Sequence, residues 1–118
     1  MSLKDIEDKL FLSIPTATKY DTNKLPMSLL PTAALEAIAD VLRFGAIKYD
    51  KYNWAKGMDW SRLTDATLRH LLAWNNGESV DKESKICHVA HAACNLVFLL
   101  TYIKYNLGND DRHKFTHD

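Results

Sequence analysis

An all-α domain built as a small bundle of three main helices is the fold class this sequence predicts, and three observations carry the prediction. Apolar residues recur at helical spacing through three long segments. No segment shows convincing strand alternation. Residues that start or stop helices stand at the ends of those segments: Pro31 before the first, Asp59 and Ser61 before the second, Gly77 and Gly108 after the second and third. The chain has 118 residues, 47% hydrophobic and 25% charged, so it fits one domain over 1–118 with enough length for a core.

Residues 1–31 read as an irregular N-terminal segment punctuated by Pro15, Pro26 and Pro31, with a short helix at Leu3–Leu12. The first clear helix runs from Thr32 to Tyr49, with Pro31 just before or at its first turn, where a missing N–H costs nothing. Leu35, Ile38, Ala39, Leu42 and Ala46 form its apolar face. A loop rich in aromatic and turn residues, "DKYNWAKGMDW", leads to the second helix, Ser61 to Asn75, with Asp59 or Ser61 as its N-cap. After the polar loop "GESVDKES", the third helix begins between Glu83 and Ile86 and continues to Asn106. Residues 107–118 read as a frayed, flexible tail. The third helix is apolar over most of its circumference and therefore needs cover from several sides. A homo-oligomer supplies that cover, or else the N-terminal segment folds over it.

Fifteen basic and fifteen acidic residues balance to zero formal charge, which argues against a nucleic-acid partner while leaving a small anionic ligand open. Cys87 and Cys94, seven residues apart on one helix, stand about 10 Å apart, too far for a disulfide. This suits a reducing compartment, the cytoplasm. The N-terminal residues are charged throughout and have no apolar run of the secretory type. No stretch is long and apolar enough to span a bilayer, so no membrane partner is expected.

The polar residues of the helices raise the question of function. In "HVAHAACNLVFLL", His88, His91 and Asn95 fall at i, i+3 and i+7, on one stripe of an otherwise apolar helix, with Tyr102 near its continuation. Either they hydrogen-bond to neighbouring elements as structural groups, or they line a cleft. On the second helix His70 shares a side with Leu63, Thr67 and Trp74 and points inward. Arg62, Asp65 and Arg69 form a separate stripe, readable as a solvated face with helical ion pairs or as a phosphate clamp. On the first helix Glu36, Asp40 and Arg43 lie opposite the apolar face; the two carboxylates suit a divalent cation, or form an ordinary polar face. Glu78, Asp81 and Glu83 in the polar loop are metal ligands, caps or simply solvated. The glycine-rich phosphate loops and the H-E-x-x-H signature are absent. His88 and His91 invite a zinc reading, but no thiolate or carboxylate stands at the usual spacing beside them, and Cys87 points to another face.

Four stretches, "KYDTNKLPMSLLP" (Lys19–Pro31), "ALEAIADVLRFGAIKYDKYNW" (Ala34–Trp54), "SRLTDATLRHLLAWNNGESVDKES" (Ser61–Ser84) and "HVAHAACNLVFLL" (His88–Leu100), taken in this order resemble one family. It is the N-terminal domain of phage-type dATP/dGTP diphosphohydrolases, related to the MazG-like all-α nucleotide pyrophosphohydrolases. The resemblance implies attack of water on a purine deoxynucleoside triphosphate to give the monophosphate and pyrophosphate. It implies Mg²⁺, or Mn²⁺, as cofactor and, for a phage-encoded chain, the host cytoplasm as location. On this sequence it points to Glu36, Asp40, His70, His88, His91 and Asn95 as catalytic residues. Glu36 and Asp40, with Glu78 and Asp81, would hold the metal. Lys19, Asp21, Lys24, Lys48, Arg62 and Arg69 would meet the polar parts of the substrate, with Asn53 beside them and Tyr49 or Trp54 stacked on the base. One departure matters. The wider MazG pattern has E-x-x-E on one helix and E-x-x-D on a later one, whereas here Glu36 and Asp40 are four apart and the later helix offers His88, His91 and Asn95. The alternative is a protein that binds a nucleotide, such as a signalling nucleotide, without hydrolysing it.

Overall fold

The computed structural model describes residues 2–6 and 16–115. Within them the fold is helical. Helix α1 spans Thr32–Lys48, α2 spans Trp60–Asn75 and α3 spans His88–Tyr105, with 3-10 turns at Met27–Leu29 and Asn53–Lys56. Two isolated bridges, Asp59 with Asn109 and Val80 with Cys87, are the extended pairings among the described residues. Residues 3–6 are helical, and most of the short helix expected at Leu3–Leu12 lies outside the described residues.

The first two helices fall within a residue or so of their expected ends. Pro31 occupies the N-cap position of α1, and Tyr49 follows its last residue as the C-cap. Asp59 occupies the N-cap position of α2, yet its side chain makes no cap bond. The capping group comes instead from the far end of the chain. The Ser61 amide donates to Asp111 Oδ1 at 2.9 Å and the Ser61 hydroxyl to Oδ2 at 2.5 Å. A carboxylate placed there satisfies a free N–H and complements the positive end of the helix dipole. Asp59 is used differently, as an acceptor for the Asn109 amide at 3.2 Å.

Residues 107–112 are therefore held in place where a frayed tail is expected; residues 116–118 of that tail lie outside the described residues. Trp60 Nε1 donates to the Leu107 carbonyl at 2.8 Å, the Trp60 amide donates to the Asn109 carbonyl at 2.9 Å, and the Arg112 guanidinium sits 5.5 Å from the Trp60 ring. Asn106 ends α3 by adopting the left-handed conformation, φ 53° and ψ 47°. Gly108, at φ +70°, then lets the chain pass close to the Met58 carbonyl, where a Cβ would collide.

The start of α3 is a second correction. Residues 79–87 do not join the helix, because Asp81 organises them as a loop. Its Oδ2 accepts the amides of Glu83 at 3.1 Å and Ser84 at 2.8 Å, and the Asp81 amide bonds the Ile86 carbonyl at 2.9 Å. Side-chain bonds of this kind compete with helix.

Helix α3 packs on both α2 and α1. Leu63, Ala90, Ala92, Cys94 and Tyr102 form the buried core, with Thr67 and His88 as its buried polar members. Trp74, expected inward beside His70, is half-exposed. The far side of α3 is not covered by the described residues: Val89, Leu96, Leu100 and Ile103 are 41%, 46%, 68% and 58% exposed. Residues 16–31 are exposed and do not fold over it. Both cysteines are free, and no helix among the described residues is long and apolar enough to cross a membrane.

Candidate functional site

A cleft of about 1150 Å³ opens between α1, the 50–57 loop, α2 and the inner face of α3. Its volume is of the order that encloses a ligand of nucleotide size. Lys48 and Tyr49 reach it from the end of α1, and Asn53 and Trp54 from the loop. Arg62, Arg69 and His70 line it from α2, Asp81 from the loop before α3, and His91 and Asn95 from α3 itself. Residues far apart in sequence thus converge because α3 has a neighbour on each side and two members of its polar stripe, His91 and Asn95, face the gap.

Tyr102, fully buried, fixes the loop side. Its hydroxyl donates to the Trp54 carbonyl at 2.5 Å, and the Trp54 ring stacks on Phe98 with centroids 5.7 Å apart. The cationic side holds Arg62 and Arg69, which have no carboxylate within ion-pair distance among the described residues. The stripe is a solvated face, with Arg62, Asp65 and Arg69 all exposed, but the helical ion pairs expected along it are not formed. Lys48 is partly engaged, 2.8 Å from Glu83, and lies 5.2 Å from the Tyr49 ring.

The inner wall is a histidine cluster. The rings of His70 and His91 stack at 4.6 Å, 7° from parallel. His70 Nδ1 and His88 Nδ1 are 2.8 Å apart, and His91 Nε2 is 2.6 Å from the Ser84 hydroxyl. Burial, and then the neighbouring imidazoles, hold His70 below the ordinary imidazole range. Burial likewise lowers His91, against the pull of Asp81. At Asp81 burial pushes upward, but the Ser84 hydrogen bonds and the adjacent imidazoles outweigh it and keep the carboxyl below its usual value. Cys94, buried beneath the cleft, has its thiol pushed up to about 11 by burial and is unreactive at neutral pH.

A family model for the N-terminal domain of dATP/dGTP diphosphohydrolases matches residues 15–112. The chain belongs to that family. Among curated proteins, a dATP/dGTP diphosphohydrolase of Salmonella phage PMBT28 is 37% identical over 97 residues, 82% of this chain and 33% of the relative. The chain therefore spans about one third of the length of that relative. No solved structure matches it.

The domain does not bring together every residue expected at its site. Glu36 and Asp40 do not line the cleft. Glu36 is exposed, and Asp40 is bound to Arg43 at 2.5 Å. The donor set at these two positions does not fit a Mg²⁺ ion in the cleft within one chain, since neither carboxylate lines it and Asp40 is paired with Arg43. Lys19, Asp21 and Lys24 lie exposed on the N-terminal segment, outside the cleft. Glu78 and His88 sit behind the wall, with Glu78 Oε1 3.3 Å from His88 Nε2. Among the described residues, the one group able to converge on a metal is His70, Asp81 and His88. Sequence reasoning missed Ser84, Phe98 and Phe44, whose ring meets His91 edge-on at 6.4 Å. Only Ser84 had a legible signal: the D-x-x-S spacing after Asp81, which suits a side-chain-capped turn.

Proposed function

We propose that this domain binds a purine deoxynucleoside triphosphate and hydrolyses it to the monophosphate and pyrophosphate. The observation that carries the reading is the convergence of two unpaired guanidinium groups, Arg62 and Arg69, with an aromatic corner at Tyr49 and Trp54 across one cleft. The guanidinium forks match phosphate oxygens, and the aromatic rings offer a face to a base. One face of Trp54 is taken by Phe98, so Tyr49, 64% exposed, is the freer platform. Asn95 and His91 stand at the inner wall to orient a water or a phosphate oxygen. The relative's printed name, dATP/dGTP diphosphohydrolase, supports the substrate class. No part of the reading runs through Glu36 and Asp40.

The domain works as a homo-oligomer in this reading. Val89, Ala93, Leu96, Leu100 and Ile103 repeat at alternating intervals of four and three along the uncovered side of α3, the spacing of a helix–helix seam. A second copy of the chain fits it, and light scattering after gel filtration checks the mass. A strictly monomeric mass at micromolar concentration contradicts it.

A second reading, nucleotide binding without hydrolysis, is favoured by one observation: three of the four carboxylates expected to hold Mg²⁺, Glu36, Asp40 and Glu78, do not line the cleft, which leaves Asp81 alone there. Incubation with a nucleotide panel and Mg²⁺ or Mn²⁺, with chromatography of all species, separates the two. Hydrolysis of dATP or dGTP, lost in Arg62→Ala/Arg69→Ala, supports the enzyme. Intact nucleotide across the panel, with one member bound tightly, supports the binder.

A further inference from the structure

His88 is 5% exposed, and its Nε2 has no hydrogen-bond partner, since Glu78 Oε1 at 3.3 Å lacks the geometry for one. A buried imidazole nitrogen left in this state calls for an explanation. The other nitrogen, Nδ1, meets His70 Nδ1 at 2.8 Å, so the two rings share a single proton or face each other through something that replaces it. Asp81 completes the group: His70, Asp81 and His88 each present a ligand atom, and the three atoms lie within 4.8 Å of one another. Asp81 is aimed by its own loop, whose two amides occupy Oδ2 and leave Oδ1 without a hydrogen bond among the described residues.

We infer that His70, Asp81 and His88 form a binding site for one first-row divalent cation of the Zn²⁺ class, set in the inner wall of the cleft. Two imidazoles and one carboxylate suit Zn²⁺, Co²⁺ or Ni²⁺, whereas Mg²⁺ prefers an all-oxygen shell. Tetrahedral Zn²⁺ with bonds of about 2.0–2.1 Å sets two nitrogens about 3.3 Å apart, so the rings need to part by only about half an ångström. The ion replaces the shared proton between the two Nδ1 atoms. Glu78 then accepts the Nε2 proton of His88, the carboxylate–histidine arrangement that orients a metal ligand. His70 and Asp81 line the cleft, so the fourth coordination position would be open to it for a water or an anionic oxygen. That role in the cleft rests on the nucleotide reading; the existence of the site does not.

The test uses untagged protein stripped with a chelator and titrated with Co²⁺, followed by its visible d–d absorption. Expected is one Co²⁺ per chain, displaced by Zn²⁺ but not by excess Mg²⁺. His70→Gln and Asp81→Asn, both at half-buried positions, should each weaken Co²⁺ binding at least about 10-fold, and Glu78→Gln about 10-fold through loss of orientation. Far-ultraviolet circular dichroism confirms that each variant is folded; His88 itself is too buried to carry the test. No cobalt spectrum, or affinity unchanged in folded His70→Gln and Asp81→Asn proteins, overturns the site. Metal binding that depends on these residues with nucleotide left intact keeps the site and sinks the hydrolase reading. Mg²⁺-driven hydrolysis in a protein that binds no Co²⁺ does the reverse.

Discussion

Replacing Tyr102 with phenylalanine removes one oxygen from a fully buried ring and with it the bond to the Trp54 carbonyl. That bond ties α3 to the 50–57 loop across 48 residues of sequence. A net hydrogen bond contributes about 0.5–1.5 kcal/mol, and a buried acceptor left unpaired costs about 1–3 kcal/mol. The bond is only part-buried, so water can partly replace the phenol, and a loss of about 1–2 kcal/mol is expected. Tyr102→Ala also removes the ring and should cost about 3–5 kcal/mol. Urea unfolding at fixed protein concentration checks both, as a lower midpoint with an unchanged slope. Trp60→Phe supplies the control: it breaks the bond from Trp60 Nε1 to the Leu107 carbonyl, outside the cleft. Both substitutions should lower stability, but only Tyr102→Phe should also weaken nucleotide binding, because only it frees the Trp54 wall. Parent-like stability in Tyr102→Phe refutes the reasoning, and so does equal loss of nucleotide affinity in the two proteins.

Other perturbations follow from the same contacts. His70 and His91 sit below the ordinary imidazole range when folded, so as pH falls through about 6.5 the unfolded chain takes up their protons first. In chelator, stability should be full above that pH and decline below it; an unchanged urea midpoint between pH 7.5 and about 5.5 contradicts this. Gly108→Ala forces a side chain into the left-handed region against the Met58 carbonyl and should cost about 1–3 kcal/mol, read as a lower melting temperature. Asp111→Ala should lower the melting temperature by uncapping α2, while Asp59→Ala, whose side chain caps nothing, should do less.

The sequence carried α1 and α2 well, because their signals are local: apolar spacing, Pro31 at one start, Gly77 at one end. It placed the start of α3 too early because residues 79–87 are set by the Asp81 turn and the pairing of Val80 with Cys87, which compete with helix without changing its periodicity. Its periodicity puts His88, His91 and Asn95 on one stripe; His88 and His91 meet polar partners, His70 and Ser84, while Asn95 lines the cleft. His88 and His91 have no further metal-ligating group nearby in sequence; the groups that converge on His88, His70 and Asp81, come through space from another helix and a loop. Glu36 and Asp40 illustrate the converse. Periodicity shows that they share a face with Arg43, not that Arg43 alone of the three reaches the cleft. The tail read as frayed because its composition is polar, and what holds it, Trp60 and Ser61, lies 47 to 50 residues upstream.

The most direct test of the nucleotide hydrolase reading is phosphorus NMR of dGTP and dATP incubated with the protein and each divalent cation in turn. The account predicts a pyrophosphate resonance growing in step with the monophosphate, with no diphosphate intermediate, and its loss in Arg62→Ala/Arg69→Ala. Triphosphate resonances that stay intact in the presence of folded, nucleotide-bound protein, or orthophosphate released one step at a time, would contradict it.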